Sequence, residues 1–150
     1  MIAVVQRVTS ASVTVGDRVV GRIEHGLCAL VAIENGDGDK QIAWMAQKLA
    51  GLRVFRNGQK HFDIDIQQAG GAILLVSNFT VAAETRKGRR PSLDSAAAPD
   101  VADSLFQKLV DAVRATGIKT ETGQFGGDMR VSLVNDGPAT FILSTDRPPA

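Results

Sequence analysis

The chain opens on strands. Ile2 to Val8 and Ser12 to Val15 alternate apolar and polar positions and are rich in β-branched residues. Gly16-Asp17 turns the chain into a further strand, Arg18 to Ile23. After Gly26, the run Leu27 to Ile33 is apolar at nearly every position, which predicts a central strand buried on both faces. The loop Asn35 to Asp39 supplies helix-capping residues, and Ile42, Met45, Ala46 and Leu49 fall on one face of a helix over about Lys40 to Leu49. Short strands are expected around Val54 and Ile64, split by a turn at Asn57-Gly58, and Gly70-Gly71 leads into the buried run AILLVS. Ala82 to Ala98 is the longest irregular segment.

A second helix is punctuated clearly. Pro99 fits its first position, Asp100 and Asp103 complement its positive end, and Gly117 stops it. Leu105, Leu109 and Val113 form its apolar stripe, with Ala102 and Phe106 alongside. The closing strands are expected at Met129 to Val134 and Phe141 to Ser144, joined by a turn, before a polar, proline-rich tail, about 145–150, expected to be mobile. With no repeat and no linker, the pattern predicts one α/β domain over residues 1–150. Its sheets should be mainly antiparallel, in a sandwich or barrel-like arrangement, with the two main helices on one side as a three-layer α/β/β stack.

Composition narrows the class. At 150 residues the chain can bury roughly 70% of its unfolded surface in one domain. Hydrophobic residues make up 44% and charged residues 22%, which is a globular balance. The net charge of +1 means that any nucleic-acid contact must come from a local patch, not a global field. One cysteine, Cys28, permits no internal disulfide and suits a reducing compartment. Arg7 arrives too early for a signal-peptide core, and no apolar run reaches membrane-spanning length. A soluble cytoplasmic protein without membrane contact is expected.

Familiar catalytic signatures are missing. His25 and His61 have no companions at metal-ligand spacing, so neither a metal nor any other cofactor is expected. Cys28 sits in an apolar run with no adjacent base, as a small core residue would. Neither a phosphate-binding loop nor a dinucleotide fingerprint occurs, and Gly36, Gly38, Gly70 and Gly71 read as turn glycines.

Two stretches break local rules. In LLVSNFTVAAE an apolar strand ends in Ser77, Asn78, Phe79 and Thr80. Such a strand end can free backbone N–H groups for an oxyanion site, or simply terminate the strand while Phe79 packs into the core. In LVNDGPATFIL, Asn-Asp-Gly is an ordinary hairpin signal, yet Pro138 stands where the returning strand should begin and can donate nothing to a ladder. Taken alone, Gly137-Pro138 is a rigid turn, with a cis bond possible at low intrinsic cost.

In this order and context the residues become specific. The chain resembles the bacterial D-aminoacyl-tRNA deacylases along nearly its whole length, through IAVVQRVTSASVTV, IQQAGG, VSNFT, RRPS and GGDMRVSLVNDGPATF. The two signatures are Ser77 to Thr80 and the Gly137-Pro138 pair. One departure matters: Asn78 stands where the family usually has glutamine. Val81 replaces the usual leucine after the first signature.

The resemblance implies a homodimer in which a cis Gly137-Pro138 peptide is inserted into the partner subunit's site. Its carbonyls would hold the substrate's α-ammonium group, so that an L side chain meets the wall while a D side chain points to solvent. Glycine, carried by glycyl-tRNA mischarged on an alanine tRNA, would escape the filter. The implied reaction is hydrolysis of the ester between a D-amino acid and the terminal adenosine of tRNA. Ser77 and Thr80 have no evident base, so the resemblance points to assistance by the ribose hydroxyl. Backbone donors around Phe79 and Thr80 would then meet the developing oxyanion, with Asn78 in a positioning part. Phe79 either stacks near the adenine or packs in the core.

The run TRKGRR places Arg86, Lys87, Arg89 and Arg90 just after the first signature. It is either a solvated loop or a set of phosphate contacts to the tRNA. Two further alternatives stay open on the sequence. One is a related deacylase with a trans Gly-Pro bond acting on misacylated L-alanyl-tRNA; the other is a non-catalytic tRNA-binding domain.

Overall fold

The computed structural model describes residues 1–146. Its organising element is β1 (Ile2–Val15), a single strand where the alternation suggested two. The first half of β1 pairs with β3 (Gly26–Ala32) and the second half with β2 (Arg18–Ile23), both antiparallel. Its other edge pairs with β8 (Met129–Ser144) over almost its whole length. Beyond β3 the sheet continues through β6 (Ala72–Ser77) to β7 (Thr120–Thr122), both parallel to their neighbours. The expected central strand therefore lies inside the sheet. A separate hairpin is formed by β4 (Phe55–Asn57) and β5 (Lys60–Ile64).

Both helices lie in the crossovers that parallel pairing requires. The first, α1 (Asp39–Gly51), connects towards β6 through the hairpin, and α2 (Pro99–Ala115) connects β6 to β7. Gly38 N–H donates to Gln41 Oε1 at 3.0 Å, closing the first turn of α1. Pro99 opens α2, and Gly117 follows its end with a φ of 90°, a conformation costly for other residues. The buried face of α2 is Ala102, Phe106, Leu109, Val110 and Val113, with Leu105 at its margin rather than on its centre line.

The sheet has a core on each face. Ala3, Val5, Leu27, Ala29, Val31, Ile73 and Leu75 pack towards the helices. The alternate set, Val8, Ala11, Val13, Ile23, Cys28, Leu74 and Val76, packs inside the curl of the sheet. One extra residue reconciles Val8 with Ala11 on that inner face. Val8 pairs with Asn135 and Ser10 with Val134, so Thr9 is a bulge that resets the side-chain period. The curl brings the two ends of the strand order together, β2 against β7, giving a nearly closed, barrel-like mixed sheet with both helices outside it.

The expectations for the closing strands and for the irregular segment need correction. Met129 to Ser144 is one strand running in one direction, not a hairpin. Gln6 pairs with Thr140 and Val8 with Asn135, so residues 136–139 loop out opposite Arg7 alone. Turn residues mark an excursion from a strand as readily as a reversal, and the sequence does not separate the two. The irregular segment carries two isolated bridges, Glu84 with Ser92 and Glu34 with Ala96. Thr145, at the start of the expected mobile tail, donates its N–H to the Met1 carbonyl at 3.1 Å; residues 147–150 lie outside the described residues.

Closure of the curl rests on a missing side chain. A Cβ on Gly21 would stand 2.2 Å from the Thr122 carbonyl oxygen, a backbone atom that cannot rotate away. Gly21→Ala should therefore cost about 1–3 kcal/mol of stability by overpacking, read as a lower urea midpoint with an unchanged slope. An unaltered midpoint would mean that β2 and β7 do not meet this closely in solution.

Candidate active site

The first signature is a strand end that becomes a turn. Asn78 N–H makes the last bond of the strand register, to the Val31 carbonyl at 2.8 Å. The chain then winds into one turn of 3-10 helix, Phe79–Ala82, held by Val81 N–H to Asn78 O and closed by Ala83 N–H to Thr80 O. Among the described residues, no acceptor meets the N–H groups of Phe79 and Thr80, as expected for the first residues of a helical turn. The Thr80 hydroxyl donates to Asn78 Oδ1 at 2.5 Å, so the shortened side chain braces its own turn. Phe79 is 57% exposed, so the ring is not packed in the core of this chain.

Beside this turn lies a groove of about 820 Å³. Ser77, Asn78 and Phe79 form one wall, Leu93 with Ala96 to Pro99 another, and Phe125, Met129 and Val131 a third. Leu30 and Val76, from the inner core, form part of the lining. Thr80 lies next to the groove without lining it. Among the described residues, no aspartate, glutamate, histidine, lysine, arginine or cysteine lines it. The Leu93 wall is fixed by Ala97 N–H to Ile33 O at 3.0 Å and by Ser95 Oγ to Ala82 O at 2.7 Å.

The second signature is elsewhere on the chain surface. Gly137 and Pro138 are both exposed and neither lines the groove of their own chain. The bond between them is cis, the isomer the family resemblance implies, and Gly137 has a φ of 139° that L side chains rarely adopt. The loop they belong to is built on Arg7, which sequence reasoning passed over. Arg7 is 2% exposed, and its guanidinium donates to the backbone carbonyls of Asp136, Val54 and His61 at 3.1, 2.8 and 3.3 Å. Its Nε also lies 3.3 Å from the Asp136 carboxylate. Asn135 Nδ2 bridges the Arg7 carbonyl at 2.9 Å and the Ala139 carbonyl at 3.0 Å, replacing ladder bonds across the gap. The available signal was a charged residue inside an otherwise apolar alternation. Phe125 and the Leu93 to Pro99 wall carried no comparable mark.

The basic run divides. Arg86 is held by Glu84, whose carboxyl is pushed down to about 2 by hydrogen bonds from the Arg86 side chain and backbone. Lys87, Arg89 and Arg90 are exposed and, among the described residues, make no ion pair.

Comparison with known proteins gives the same direction. A family model described as D-Tyr-tRNA(Tyr) deacylase matches residues 4–144. The chain belongs to the D-Tyr-tRNA(Tyr) deacylase family. A D-aminoacyl-tRNA deacylase of Photorhabdus laumondii subsp. laumondii is 49% identical, with 95% of this chain and 99% of that one covered. One of Methylococcus capsulatus is 50% identical, with 99% of each covered. Among solved structures, a c-Myc DNA Unwinding Element Binding Protein superposes with a TM-score of 0.91 at 36% identity over 100% of both chains. A probable eukaryotic D-amino acid tRNA deacylase shares the fold, with a TM-score of 0.83 at 16% identity over 95% of this chain and 97% of that one.

Cys28, His25 and His61, which could have offered a conventional nucleophile or base, do not line the groove. Among the described residues no three His, Cys, Asp or Glu side chains gather as a metal-ligand set. No helix of the described residues is long and apolar enough to cross a membrane. Burial pushes the Cys28 thiol up to about 11, so it stays protonated at neutral pH and only loses its proton well into the alkaline range. Native protein at pH 8 should resist alkylation by iodoacetamide while urea-unfolded protein reacts; intact-mass spectra at matched times decide it. Rapid modification of the native form would place Cys28 at the surface.

Proposed function

We propose that this protein hydrolyses D-aminoacyl-tRNA to the free D-amino acid and tRNA, rejecting the L-aminoacyl ester by means of Gly137 and Pro138 of a second copy of the chain. The observation that carries the reading is the pairing, among the described residues, of two backbone donors without an acceptor, Phe79 and Thr80 N–H, with a groove that no titratable side chain lines. A groove built so cannot activate a nucleophile of its own. It can bind, orient, and stabilise an oxyanion.

The terminal adenosine fits the apolar groove, with the exposed Phe79 ring available for stacking on the base. Water adds to the ester carbonyl carbon, its proton drawn off with the help of the adjacent ribose hydroxyl. The carbonyl oxygen gains negative charge and meets the N–H groups of Phe79 and Thr80, each such donor worth roughly 10²–10³ in rate. The carbon–oxygen bond to ribose then breaks, the ribose oxygen takes a proton, and acid and tRNA separate.

Selectivity needs a second copy, because Gly137 and Pro138 lie outside their own groove. Both residues are exposed, and so are Val131, Val134 and Ile142 on the same strand, which suits a homodimer contact. Carbonyls of the Gly137-Pro138 turn would hold the substrate ammonium, leaving an L side chain against backbone. Glycyl-tRNA mischarged on an alanine tRNA, having no side chain, would pass. Lys87, Arg89 and Arg90 would meet tRNA phosphates, whereas Arg86 is engaged by Glu84. A cytoplasmic, single-domain enzyme over residues 1–150 completes the reading.

The test is ester loss from matched D- and L-tyrosyl-tRNA. The D ester should be cleaved and the L ester left intact. Ser77→Ala and Thr80→Ala should each retain activity within roughly tenfold, since neither hydroxyl is a nucleophile. An aminoacyl adduct on either residue in mass spectra of quenched enzyme would overturn the mechanism, and cleavage of both enantiomers would overturn the selectivity.

Residue 78 can be assigned separately. Asn78→Gln lengthens the side chain and displaces its contact with the Thr80 hydroxyl, or turns it into a water-mediated one, at about 0–2 kcal/mol. The D rate should shift modestly and L rejection should persist. If the L ester becomes a substrate, residue 78 belongs to the filter.

A further inference from the structure

The β4–β5 hairpin lies apart from the main sheet, and its position against the Gly137-Pro138 loop is specific. Two of the carbonyls that hold the Arg7 guanidinium, those of Val54 and His61, belong to residue 54, just before the hairpin, and to β5. The hairpin also reaches the loop with side chains. Phe62 lies over the Arg7 guanidinium, 5.5 Å from ring centroid to carbon, and meets Phe141 edge-on at 5.8 Å. Arg56 Nη1 stands 3.4 Å from Asp136 Oδ1, so the carboxylate that Arg7 engages is shared with the hairpin.

Phe62 is 56% exposed, an odd place for a large aromatic ring on a short two-stranded element. Its solvent face gains nothing from burial; its inner face covers a cation and keeps water from the carbonyls that cation bonds. Arg7 in turn stands close enough to Gly137 that a Cβ there would lie 3.1 Å from its Nη2. The chain of contact runs from the hairpin through Arg7 to the two residues of the filter.

We infer that Phe62 and Arg56 are positioning residues: the β4–β5 hairpin clamps Arg7 and Asp136, and so sets where the Gly137-Pro138 backbone stands. Neither residue touches substrate in this scheme. The inference rests on the reading that Gly137 and Pro138 carry the chiral filter. A loosened clamp lets the wall give way, so the selectivity between enantiomers falls before the chemistry does.

The experiment compares hydrolysis of D-tyrosyl-, L-tyrosyl- and glycyl-tRNA by wild type, Phe62→Leu, Phe62→Tyr, Arg56→Gln and Pro138→Ala. Phe62→Leu should lower the D-to-L rate ratio by roughly five- to thirtyfold, the range of a covered cation–aromatic contact. Glycyl-tRNA, which meets no steric wall, should change much less than the L ester does. Phe62→Tyr, which keeps the ring, should restore the ratio. Arg56→Gln should lower it by a smaller factor, and this surface change serves as the readout should Phe62→Leu fail to fold. Independently, the Nε–H resonance of Arg7 should move when the ring is removed by Phe62→Leu and stay near its place in Phe62→Tyr.

If Pro138→Ala collapses the ratio while the hairpin variants leave it unchanged, the clamp is wrong and the filter stands. If Pro138→Ala also leaves it unchanged, the filter reading fails and the clamp fails with it. Equal losses on all three substrates in the hairpin variants would show a merely structural role and overturn the inference.

Discussion

Backbone hydrogen bonding along β1 governs the rest of this structure. A strand paired on both edges leaves no free place for an excursion, because every buried N–H and carbonyl must find a partner. Yet β8 departs from β1 opposite a single residue and returns four residues later. The groups stranded by that departure are met by side chains. Asn135 takes the carbonyls of Arg7 and Ala139, and the Arg7 guanidinium takes that of Asp136. Removing a guanidinium from water costs several kcal/mol, and only a nearly complete set of acceptors offsets it. Those acceptors come from the excursion itself and from Val54 and His61. The same buried charge thus holds two otherwise separate parts of the chain together.

The curl of the sheet has a different consequence. Because the inner face packs on itself at one end, its other end opens as a groove lined by Leu30 and Val76 from that core. The turn at Phe79 stands at the rim, where β6 runs out of partners after Asn78 bonds Val31. Unpaired backbone donors at that place follow from the strand ending, with no special residue needed. In the proposed mechanism, a site that no acid or base lines among the described residues can still be chemically active. The electrostatics would be supplied by peptide groups fixed in the fold, with the proton relay left to the substrate.

How much of this could be read from the sequence depended on the range of the interaction. Period-two strand segments and the helix punctuated by Pro99 and Gly117 are local, and the structure has strand and helix at those residues, although two pairs of expected strands are each one continuous strand. Non-local facts were hidden. Nothing local distinguishes an excursion at Asn-Asp-Gly-Pro from a reversal; only the pairing of Gln6 with Thr140 does. The role of Arg7 was hidden because its acceptors, the carbonyls of Val54, His61 and Asp136, are distant in sequence. Arg86 looked like one more free cation until Glu84 was seen beside it. The strand β7 carries no apolar run, and exists because parallel pairing with β6 completes the curl.

The separation of groove from filter also has an energetic logic. Side chains yield when crowded, and overpacking a compliant wall costs only about 1–3 kcal/mol, too little to exclude an abundant, nearly identical ester. Backbone yields far less, provided that something holds it. In the proposed filter, rejection by carbonyls would be only as good as the support behind them, and the support at the Gly137-Pro138 loop is a guanidinium 2% exposed, roofed by an aromatic ring and tied to three carbonyls. The proposed catalysis by the Phe79 and Thr80 amides would make no such demand on the Gly137-Pro138 loop. Rate and selectivity would then be tuned by different residues, so that in this proposal a departure such as Asn78 need not open the filter.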